Sequence, residues 1–453
     1  MKYHAEPDGR LVFEEPVCSC GCAHHPVDKD IYVGENLLCH VPEFIARRGL
    51  GTRCVLVADD TTYRVAGERV HRALTAAGYA VVPCVMHREG HLLPDNLACG
   101  EVLLSITRET QFLISVGSGS VTDTTRINAE RTGLPFVAVG TAPSMDGYTS
   151  VVAPLLHRGV KIQRPAVCPE IIVCDLDVLA TAPRPMVASG VGDVLGKYIA
   201  KVDWQLGSII NDEPCCPACV EMLDQALDMV VNNAQEIAAR TKRGMRALIE
   251  ALLLAGVTIT IIGNTRAVAS VEHNIAQYWE MMMIRRGLTP PMHGASVGVA
   301  TLLVWPFYAR FAAEPLEQLD EKRALSRRLT RAQREDWMVR SFGEEGGAQI
   351  MREYPEDFLD EGEQLRRVRR VKERAGELRA AIAQMPQVDV LLDVMRTMNA
   401  EMTPQEEHVP EDLLAMSMWC GKDYRSRYTL MKTLDECGLL ETYLSDWPCP
   451  ERA

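Results

Sequence analysis

The chain has 453 residues and a formal net charge of −13 at pH 7, which is long enough for two domains with hydrophobic cores. The negative charge disfavours nucleic acid and anionic membrane surfaces as partners. Fifteen cysteines without an apolar signal segment near Met1 predict a soluble, cytoplasmic protein with reduced thiols. The most apolar stretch, 251–262, is too short to span a bilayer and predicts a buried helix. We expect a homo-oligomer, with a homodimer as the working assumption.

Cysteine and histidine are concentrated near the N-terminus, in Cys18-Ser-Cys20-Gly-Cys22-Ala-His24-His25. This density suits zinc or copper(I), but no second ligand pair at zinc-finger spacing accompanies it. The alternative is a reduced surface tail. We expect residues 1–29 to form an appendage with one of these two roles. A second group, Cys215-Cys216-Pro-Ala-Cys219, predicts loop thiols at the start of a helix.

Residues 30–183 alternate short β-branched runs with amphipathic segments, which predicts a parallel sheet covered by helices on both faces. In such sheets ligands bind at the carboxyl ends of the strands. The candidate strands are Cys54–Ala58, Ala80–Val85, Phe112–Val116, Phe136–Val139 and Ile171–Cys174.

A glycine-rich turn follows the third candidate strand, in the sequence Gly117-Ser-Gly119-Ser-Val-Thr-Asp123. Glycines allow close approach of the backbone to a ligand, and a helix N-terminus presents free N–H groups to an anion. The turn therefore predicts a phosphate or pyrophosphate site, with a plain strand-to-helix turn as the alternative.

Two further loops follow strands of the predicted sheet, Ala58-Asp59-Asp60-Thr61 and residues 140–150. Asp59 or Asp60 could bond the hydroxyls of an adenosine ribose and would repel a 2′-phosphate, which favours NAD. An aspartate that merely forms the turn explains the same residues.

Strand patterns end near Pro183, and residues 184–453 predict an all-helical second domain. The helical patterns cover 187–206, 217–241, 244–262, 267–286 and 294–313. Arginine and glutamate at helical spacing in 323–340 and 361–380 predict solvated helix faces.

Three segments of the helical domain carry residues that could bind a metal. Asp193 lies among glycines at a helix start, His273 lies one turn before Gln277, and His293 lies in a Pro/Gly-rich loop. One carboxylate and two imidazoles form a three-ligand divalent site with open positions, as catalytic metals require. The alternative is that each histidine is simply hydrogen-bonded near the core.

Five segments follow one another along the chain, namely GSGSVTD, GTAPSMDGYTS, GVGDVLGK, EHNIAQYWE and PPMHGASVGVAT. In this order they resemble the sn-glycerol-1-phosphate dehydrogenases, and most closely their bacterial arabinose-operon-type branch. The wider group contains iron-type alcohol dehydrogenases, glycerol dehydrogenase and 3-dehydroquinate synthase. The resemblance covers roughly residues 30–440 and implies a nucleotide-binding α/β domain, a helical domain and a site between them.

The resemblance implies NAD or NADP and one divalent metal, zinc, nickel or iron, in an enzyme of phospholipid metabolism. Its substrate would be a small phosphorylated triose or glycerol, dihydroxyacetone phosphate or sn-glycerol 1-phosphate. Asp193, His273 and His293 would bind the metal, while Asp146 and Asp193 would face substrate. The expected cofactor contacts are Asp60, Gly117, Gly119, Ser120, Val121, Thr122, Asp123, Thr141, Ala142, Pro143, Ser144 and Ser150.

The chain departs from the family pattern at Gln277, where a second histidine usually contacts substrate. Glutamine forms hydrogen bonds but does not titrate near neutral pH, so proton transfer needs bound water or another group. We expect Asp193, Lys197 and Gln277 to act in catalysis, with Lys197, or Lys161 behind it, as the cation for the substrate phosphate. The alternatives are a lyase like 3-dehydroquinate synthase and a non-catalytic relative that retains ligand binding.

Overall fold

The computed structural model describes residues 3–14, 18, 20–21, 23–157 and 160–448. In the described part of the chain the strands lie between residues 3 and 175, with helices among them, and the regular elements after residue 175 are helices. The strands are β1 Tyr3–Ala5, β2 Arg10–Phe13, β3 Asp30–Gly34, β4 Arg53–Asp59, β5 Ala80–Met86, β6 Phe112–Gly117, β7 Phe136–Gly140, β8 Val152–His157, β9 Val160–Pro165 and β10 Ile171–Asp175.

The first five helices lie among the strands of the sheet in sequence, and the next five follow β10. They are α1 Val41–Arg48, α2 Asp60–Thr62, α3 Glu68–Ala76, α4 Asn96–Ser105, α5 Gly119–Thr132, α6 Leu176–Leu179, α7 Arg184–Leu195, α8 Lys197–Asn211, α9 Pro217–Asn232 and α10 Ala234–Ala238.

The remaining helices complete the second half of the chain. They are α11 Lys242–Ile262, α12 Val271–Arg285, α13 His293–Ala313, α14 Glu321–Ser326, α15 Arg331–Glu353, α16 Glu361–Glu373, α17 Ala375–Ile382, α18 Val388–Met398, α19 Glu411–Cys420, α20 Leu430–Glu436 and α21 Leu440–Tyr443. Short 3-10 turns lie at Leu37–His40, Gly147–Thr149, Leu316–Gln318, Pro355–Asp357 and Gly421–Asp423, and a π turn lies at Tyr63–Gly67.

The main sheet has the strand order β1-β2-β3-β10-β7-β6-β4-β5. All pairs from β3 to β5 are parallel, and β1 and β2 add antiparallel strands at one edge. The five strands predicted from the sequence are β4, β5, β6, β7 and β10, so the α/β class with a helical C-terminal region is confirmed.

Residues 1–29 differ from the predicted appendage, because part of this segment belongs to the sheet. Leu11 of β2 pairs with Ile31 of β3, which buries Leu11 against the core. The sequence pattern did not reveal β1, β2 or β3, nor the β8–β9 hairpin, because these strands have only three to six residues and so short a run carries little periodic signal. Cys22 lies outside the described residues.

The predicted helix over 187–206 is two helices, α7 and α8, which meet at Gly196. A Cβ at Gly196 would lie 2.6 Å from Cγ1 of Val297, so a side chain there would collide with α13. The glycine thus lets α13 approach the junction of the two helices.

Among the described residues, two helices, α11 and α13, are long and apolar enough to cross a membrane by length and composition. The apolar run in α11 is therefore longer than the stretch 251–262 that the sequence singled out. In α11 78% of the apolar window is buried and in α13 67%. Packing in the protein core accounts for their apolar character.

The sheet register brings two predicted site segments together. Gly117 at the end of β6 pairs with Gly140 at the end of β7. Because both strands are parallel, the glycine turn and the loop 141–150 leave the same edge of the sheet side by side.

Candidate functional site

The glycine turn joins β6 directly to α5, with Ser118 as the residue that precedes the helix. Ser118 is extended, with φ −105° and ψ −150°, and its side chain does not cap the helix. Its hydroxyl instead shares a hydrogen bond of 2.6 Å with the hydroxyl of Ser144 in the neighbouring loop. The first N–H groups of α5 are thus left without a cap from Ser118, as an anion site requires.

The two glycines of the turn have different physical roles. A Cβ on Gly117 would lie 2.5 Å from Cβ of Val121, so packing within the protein already requires glycine there. A Cβ on Gly119 would meet Cγ of Met145 at 3.6 Å, an ordinary contact. Gly119 is therefore the glycine whose missing side chain leaves room for a ligand.

Asp123, in the first turns of α5, is engaged within the protein. Its carboxylate lies 2.5 Å from Nη1 of the fully buried Arg126. Burial raises the pKa of Asp123 to about 6, against the opposing charge of Arg126. Arg126 also donates to the backbone oxygens of Gly147 and Tyr148, at 2.5 and 3.1 Å. The ion pair thus supports the loop that follows β7.

The loop 141–150 is held against the glycine turn by further hydrogen bonds. The backbone N–H of Thr141 donates to the oxygen of Gly117 at 3.1 Å. The Tyr148 hydroxyl donates to the oxygen of Ala142 at 2.9 Å, which closes the loop on itself. Thr141, Ala142, Ser144 and Ser150 are all buried. The two segments predicted to bind the dinucleotide therefore form one continuous surface.

Asp193, His273 and His293 come together although they lie far apart in sequence. One ligand atom from each lies within 4.8 Å of the others. Nε2 of His273 is 3.4 Å from Oδ1 of Asp193, and the two imidazole centroids are 5.3 Å apart. Such a set of one carboxylate and two imidazoles fits a divalent metal with open coordination positions.

Glycines make this convergence possible, since they let α7 and α13 touch through their backbones. A Cβ on Gly192 would lie 2.3 Å from the oxygen of Gly294, and one on Gly294 would lie 2.0 Å from the oxygen of Ser189. The Ser189 hydroxyl also accepts from the N–H of Gly294 at 3.1 Å and donates to the oxygen of Ser144 at 3.2 Å. Ser189 therefore links the start of α13 to the loop after β7.

Glu272 orients the imidazole of His273. Oε1 of this fully buried glutamate lies 2.7 Å from Nδ1 of His273 and accepts from the N–H of Ser270 at 2.9 Å. Because a carboxylate is an acceptor, Nδ1 carries the proton, and Nε2 is left to face Asp193 as a possible metal ligand.

Lys197 lies between two carboxylates at the same place. Its Nζ is 2.7 Å from Oδ1 of Asp193 and 2.6 Å from Oδ2 of Asp146, and its side chain is fully buried. Oδ2 of Asp193 also accepts from the N–H of Asp146 at 3.0 Å. With Glu272 included, the formal charges of these four side chains sum to −2 when the acids are ionised, which a divalent cation would balance.

The electrostatics of this cluster follow from burial and mutual contact. Burial opposes ionisation of Asp193, but the charge of Lys197 and the close contact with His273 hold its pKa far below the ordinary value. Burial and the charge of Asp193 raise the pKa of Asp146, against the effect of Lys197. Burial and the charge of Lys161 lower the pKa of His293 well below its ordinary value. His293 is thus neutral, the form that binds a metal.

Three buried polar atoms at the cluster lack a hydrogen-bond partner among the described residues. They are Nδ1 of His293, Oε2 of Glu272 and Oε1 of Gln277, whose side chain is one helical turn after His273. Unpaired buried polar atoms are costly, so their presence here indicates a ligand or ordered water. The residues present therefore fit a bound metal and a polar substrate.

The two aspartates after β4 that were predicted to contact adenosine, Asp59 and Asp60, have different partners in the structure. Asp59 caps α2, since its carboxylate accepts from the N–H of Thr62 at 2.7 Å. Asp60 is outside this cap and lies 2.7 Å from Nδ1 of His87. The turn-forming alternative thus describes Asp59, and a ribose that bound Asp60 would compete with His87.

Lys161 lies on β9 and pairs with Glu280 of α12 at 2.5 Å. Both lysines considered for the substrate phosphate, Lys161 and Lys197, are therefore already paired with carboxylates. Binding of a phosphate to either would have to compete with those partners.

Sequence reasoning did not identify Glu272, Arg126 or Ser189. Glu272 adjoins a candidate ligand and could have been found from that adjacency. Arg126 and Ser189 act through contacts with loops distant in sequence, and no local pattern marks them.

Comparison with known proteins gives three kinds of match. Residues 32–183 match the family model of iron-containing alcohol dehydrogenases. A glycerol-1-phosphate dehydrogenase [NAD(P)+] of Halalkalibacterium halodurans is 41% identical over 303 residues, which cover 66% of this chain and 76% of that protein. One of Bacillus licheniformis is 27% identical over 434 residues, with 95% of both chains covered.

Solved structures share the fold. The crystal structure of glycerol dehydrogenase from Schizosaccharomyces pombe matches with a TM-score of 0.58 and 16% identity, and the match covers 92% of this chain and 90% of that one. The fold, the ordered motifs and the 41% identity agree. The chain therefore belongs to the glycerol-1-phosphate dehydrogenase family of iron-containing alcohol dehydrogenases.

Proposed function

We propose that this protein is a metal-dependent, NAD(P)-linked oxidoreductase that interconverts dihydroxyacetone phosphate and sn-glycerol 1-phosphate. The observation that carries the proposal is the convergence of Asp193, His273 and His293 beside the loop that contacts the glycine turn. That arrangement places a candidate metal site next to a candidate dinucleotide site in a chain of this family.

The cofactor residues would act as two groups. The pyrophosphate would lie against Gly119–Asp123, where the first N–H groups of α5 favour negative charge. The nicotinamide would lie along Thr141, Ala142, Pro143, Ser144 and Ser150. Asp60 would bond the adenosine ribose and disfavour a 2′-phosphate, so we propose NAD as the preferred cofactor over NADP.

Asp193, His273 and His293 would hold one divalent ion, and zinc, nickel and iron all accept this donor set. When bound, such an ion would supply Lewis-acid stabilisation of the negative charge that develops on the carbonyl oxygen during reduction. Glu272 keeps Nε2 of His273 directed toward Asp193, and the contact at Gly192 and Gly294 holds together the two helices that carry Asp193 and His293.

Substrate orientation would depend on Asp146, Lys197 and Gln277. The ammonium of Lys197, whose pKa the charges of Asp146 and Asp193 raise against the effect of burial, keeps both carboxylates in place. Oε1 of Gln277 offers an unpaired acceptor for a substrate hydroxyl. Because this amide cannot titrate, the proton that balances hydride addition would arrive through ordered water.

The direct test incubates purified protein with zinc, nickel or iron(II), NADH or NADPH, and dihydroxyacetone phosphate. We expect cofactor oxidation to yield sn-glycerol 1-phosphate, identified by stereospecific assay of the product, and Asp193→Asn to lack this activity. Formation of the 3-phosphate enantiomer, or absence of oxidation with each metal and cofactor, would refute the proposal.

The same assay separates the competing functions. A lyase like 3-dehydroquinate synthase would release inorganic phosphate from a sugar acid phosphate without net oxidation of NAD. A non-catalytic relative would bind dinucleotide and metal without turnover. We further propose a cytoplasmic location and a homodimeric assembly, which fractionation and light scattering would test.

A further inference from the structure

A second cluster of possible metal ligands shares no residue with the candidate metal site of Asp193, His273 and His293. Cys18, Cys20 and His24 belong to the irregular segment between β2 and β3, and Cys216 directly precedes α9. One ligand atom from each lies within 4.8 Å of all the others. We propose that these four residues bind a structural zinc ion that fastens the N-terminal segment to the helical domain.

The distances in the cluster match the edges of a zinc-centred tetrahedron. The Sγ atoms of Cys18 and Cys216 are 3.7 Å apart, and Nε2 of His24 lies 3.5 Å from Sγ of Cys20 and 3.3 Å from Sγ of Cys216. With Zn–S of about 2.3 Å and Zn–N of about 2.0–2.1 Å, tetrahedral geometry gives S–S edges of about 3.8 Å and S–N edges of about 3.5 Å. Three of the six ligand-to-ligand distances therefore lie within about 0.2 Å of those in a zinc-centred tetrahedron, and the others do not exceed 4.8 Å.

The donor set identifies the ion. Three thiolates and one imidazole form a closed Cys₃His site, which is typical of structural zinc and leaves no position for substrate. Copper(I) also accepts thiolates, but four ligands at tetrahedral spacing favour zinc. A disulfide is excluded in this arrangement, because a bond between Cys18 and Cys216 requires about 2.05 Å between sulfurs.

The sequence did not reveal the fourth ligand because Cys216 is almost two hundred residues from Cys18. Cys18-x-Cys20 and His24 lack a second ligand pair nearby, and the fold supplies one thiol from the start of α9. Ligands contributed by two distant segments restrain the long chain between them, as a disulfide does in an oxidising compartment.

Other contacts of the N-terminal segment reach the same helical region. The N–H of His25 donates to the oxygen of Ile261 at 2.8 Å, and the Tyr3 hydroxyl donates to Glu250 at 2.7 Å, both on α11. Within the described part of 14–29 there is neither helix nor strand. A metal cross-link would therefore give this irregular segment a fixed position against α9 and α11.

The proposal can be tested on the full chain by measuring whether sulfur atoms coordinate the bound metal. X-ray absorption of zinc-loaded protein should show Zn–S distances of about 2.3 Å, which the oxygen and nitrogen ligands of Asp193, His273 and His293 cannot produce. With cobalt(II) in place of zinc, we expect thiolate-to-cobalt charge-transfer absorption in wild type and in His273→Ala. Cys216→Ser and His24→Ala should lose one equivalent of metal per chain, and the exposed Cys39→Ser serves as the matched control.

The same variants report the structural role. Limited proteolysis should cleave near residue 20 at least about tenfold faster in Cys216→Ser than in Cys39→Ser. If Cys216→Ser does not fold, the metal content of Cys18→Ser and the absorption spectrum of wild type still test whether the cluster binds zinc through sulfur. Zinc without sulfur ligands, copper(I) in place of zinc, a Cys18–Cys216 disulfide by mass spectrometry, or full metal content in Cys216→Ser would each overturn the proposal. None of these readouts depends on dehydrogenase activity.

Discussion

Glu272 accepts a hydrogen bond from Nδ1 of the adjacent His273 at 2.7 Å, although consecutive residues of a helix normally point in different directions. The pair lies in the first turn of α12, where the backbone enters from Ser270 with φ −140° and ψ −139°. The glutamate thereby sets which nitrogen of His273 remains available for a metal.

We predict that Glu272→Gln weakens metal binding by about 10–100-fold, since loss of an orienting carboxylate reduces ligand basicity. Isothermal titration of metal-free protein with zinc would measure the change. Glu335→Gln, on an exposed face of α15, is the control and should leave affinity unchanged. Equal affinities of Glu272→Gln and wild type would show that Glu272 does not act through His273.

Removal of either proposed histidine ligand should abolish tight metal retention and activity. A bound metal can contribute several kcal/mol to stabilisation of developing charge, whereas one hydrogen bond contributes about 1 kcal/mol. We therefore expect His273→Ala and His293→Ala to lower kcat/KM by at least about 10³-fold. His157→Ala, exposed on β8, is the control. Turnover like that of wild type in either variant would remove that histidine from the ligand set.

Gly119→Ala tests the dinucleotide site, because the protein itself accommodates the added methyl group at 3.6 Å from Met145. We predict an increase of at least about tenfold in the Kd of NADH, since the new Cβ occupies the space against the pyrophosphate. Fluorescence titration would measure it. Gly100→Ala in α4 has nothing within 4 Å of the new Cβ and should bind NADH normally. Unchanged binding by Gly119→Ala would place the pyrophosphate elsewhere.

Gln277→His would introduce a titratable group one turn after His273. We expect the variant to fold, because the two side chains have similar volume and Oε1 of Gln277 has no hydrogen-bond partner in the part of the chain that the structure describes. If proton delivery limits the wild-type enzyme, kcat should rise and its pH profile should acquire a new inflection near the pKa of histidine. A pH–rate profile identical to wild type would show that proton delivery does not limit turnover.

Asp203 predicts a pH dependence of stability. This fully buried carboxylate accepts hydrogen bonds from Ser270, Tyr308 and the N–H of Leu430, and burial raises its pKa to about 7 against those bonds. Between the ordinary pKa and about 7 the folded state binds more protons than the unfolded state. The contribution of Asp203 to stability therefore falls as pH rises through this window.

Asp203→Asn should remove that dependence. From pH 5 to pH 8, the free energy of unfolding of wild type minus that of the variant should fall by about 2–3 kcal/mol. Urea denaturation at both values would measure it, with the exposed Asp212→Asn as the control. A difference that is constant with pH would show that Asp203 is ionised throughout.

The strands β4, β6 and β7 could be predicted because continuous apolar runs such as Phe112–Ile114 are typical of buried parallel strands. The short strands β1 and β2 could not be predicted, since three or four residues, most of them at least partly exposed, carry no periodic signal. Helix segments were predicted well in extent, but their breaks at Gly196 and Asn233 depend on tertiary packing.

For the site, too, some features could be predicted from the sequence and others could not. Ligand residue types and flanking glycines near Asp193 and His293 pointed to a metal, and the structure brings them together. The pairing of Lys197 with Asp146, and the thiol that Cys216 adds to the N-terminal cluster, require the folded chain. Contacts between residues that are far apart in sequence cannot be predicted from the spacing of residues within one short segment.

The backbone contact between α7 and α13 has a consequence for the choice of metal. Since the backbones of Gly192 and Gly294 already touch, α7 and α13 cannot approach each other more closely. Helix packing would therefore restrict how Asp193 and His293 adjust to the proposed ion, and the two nitrogen donors would disfavour calcium, which prefers oxygen ligands.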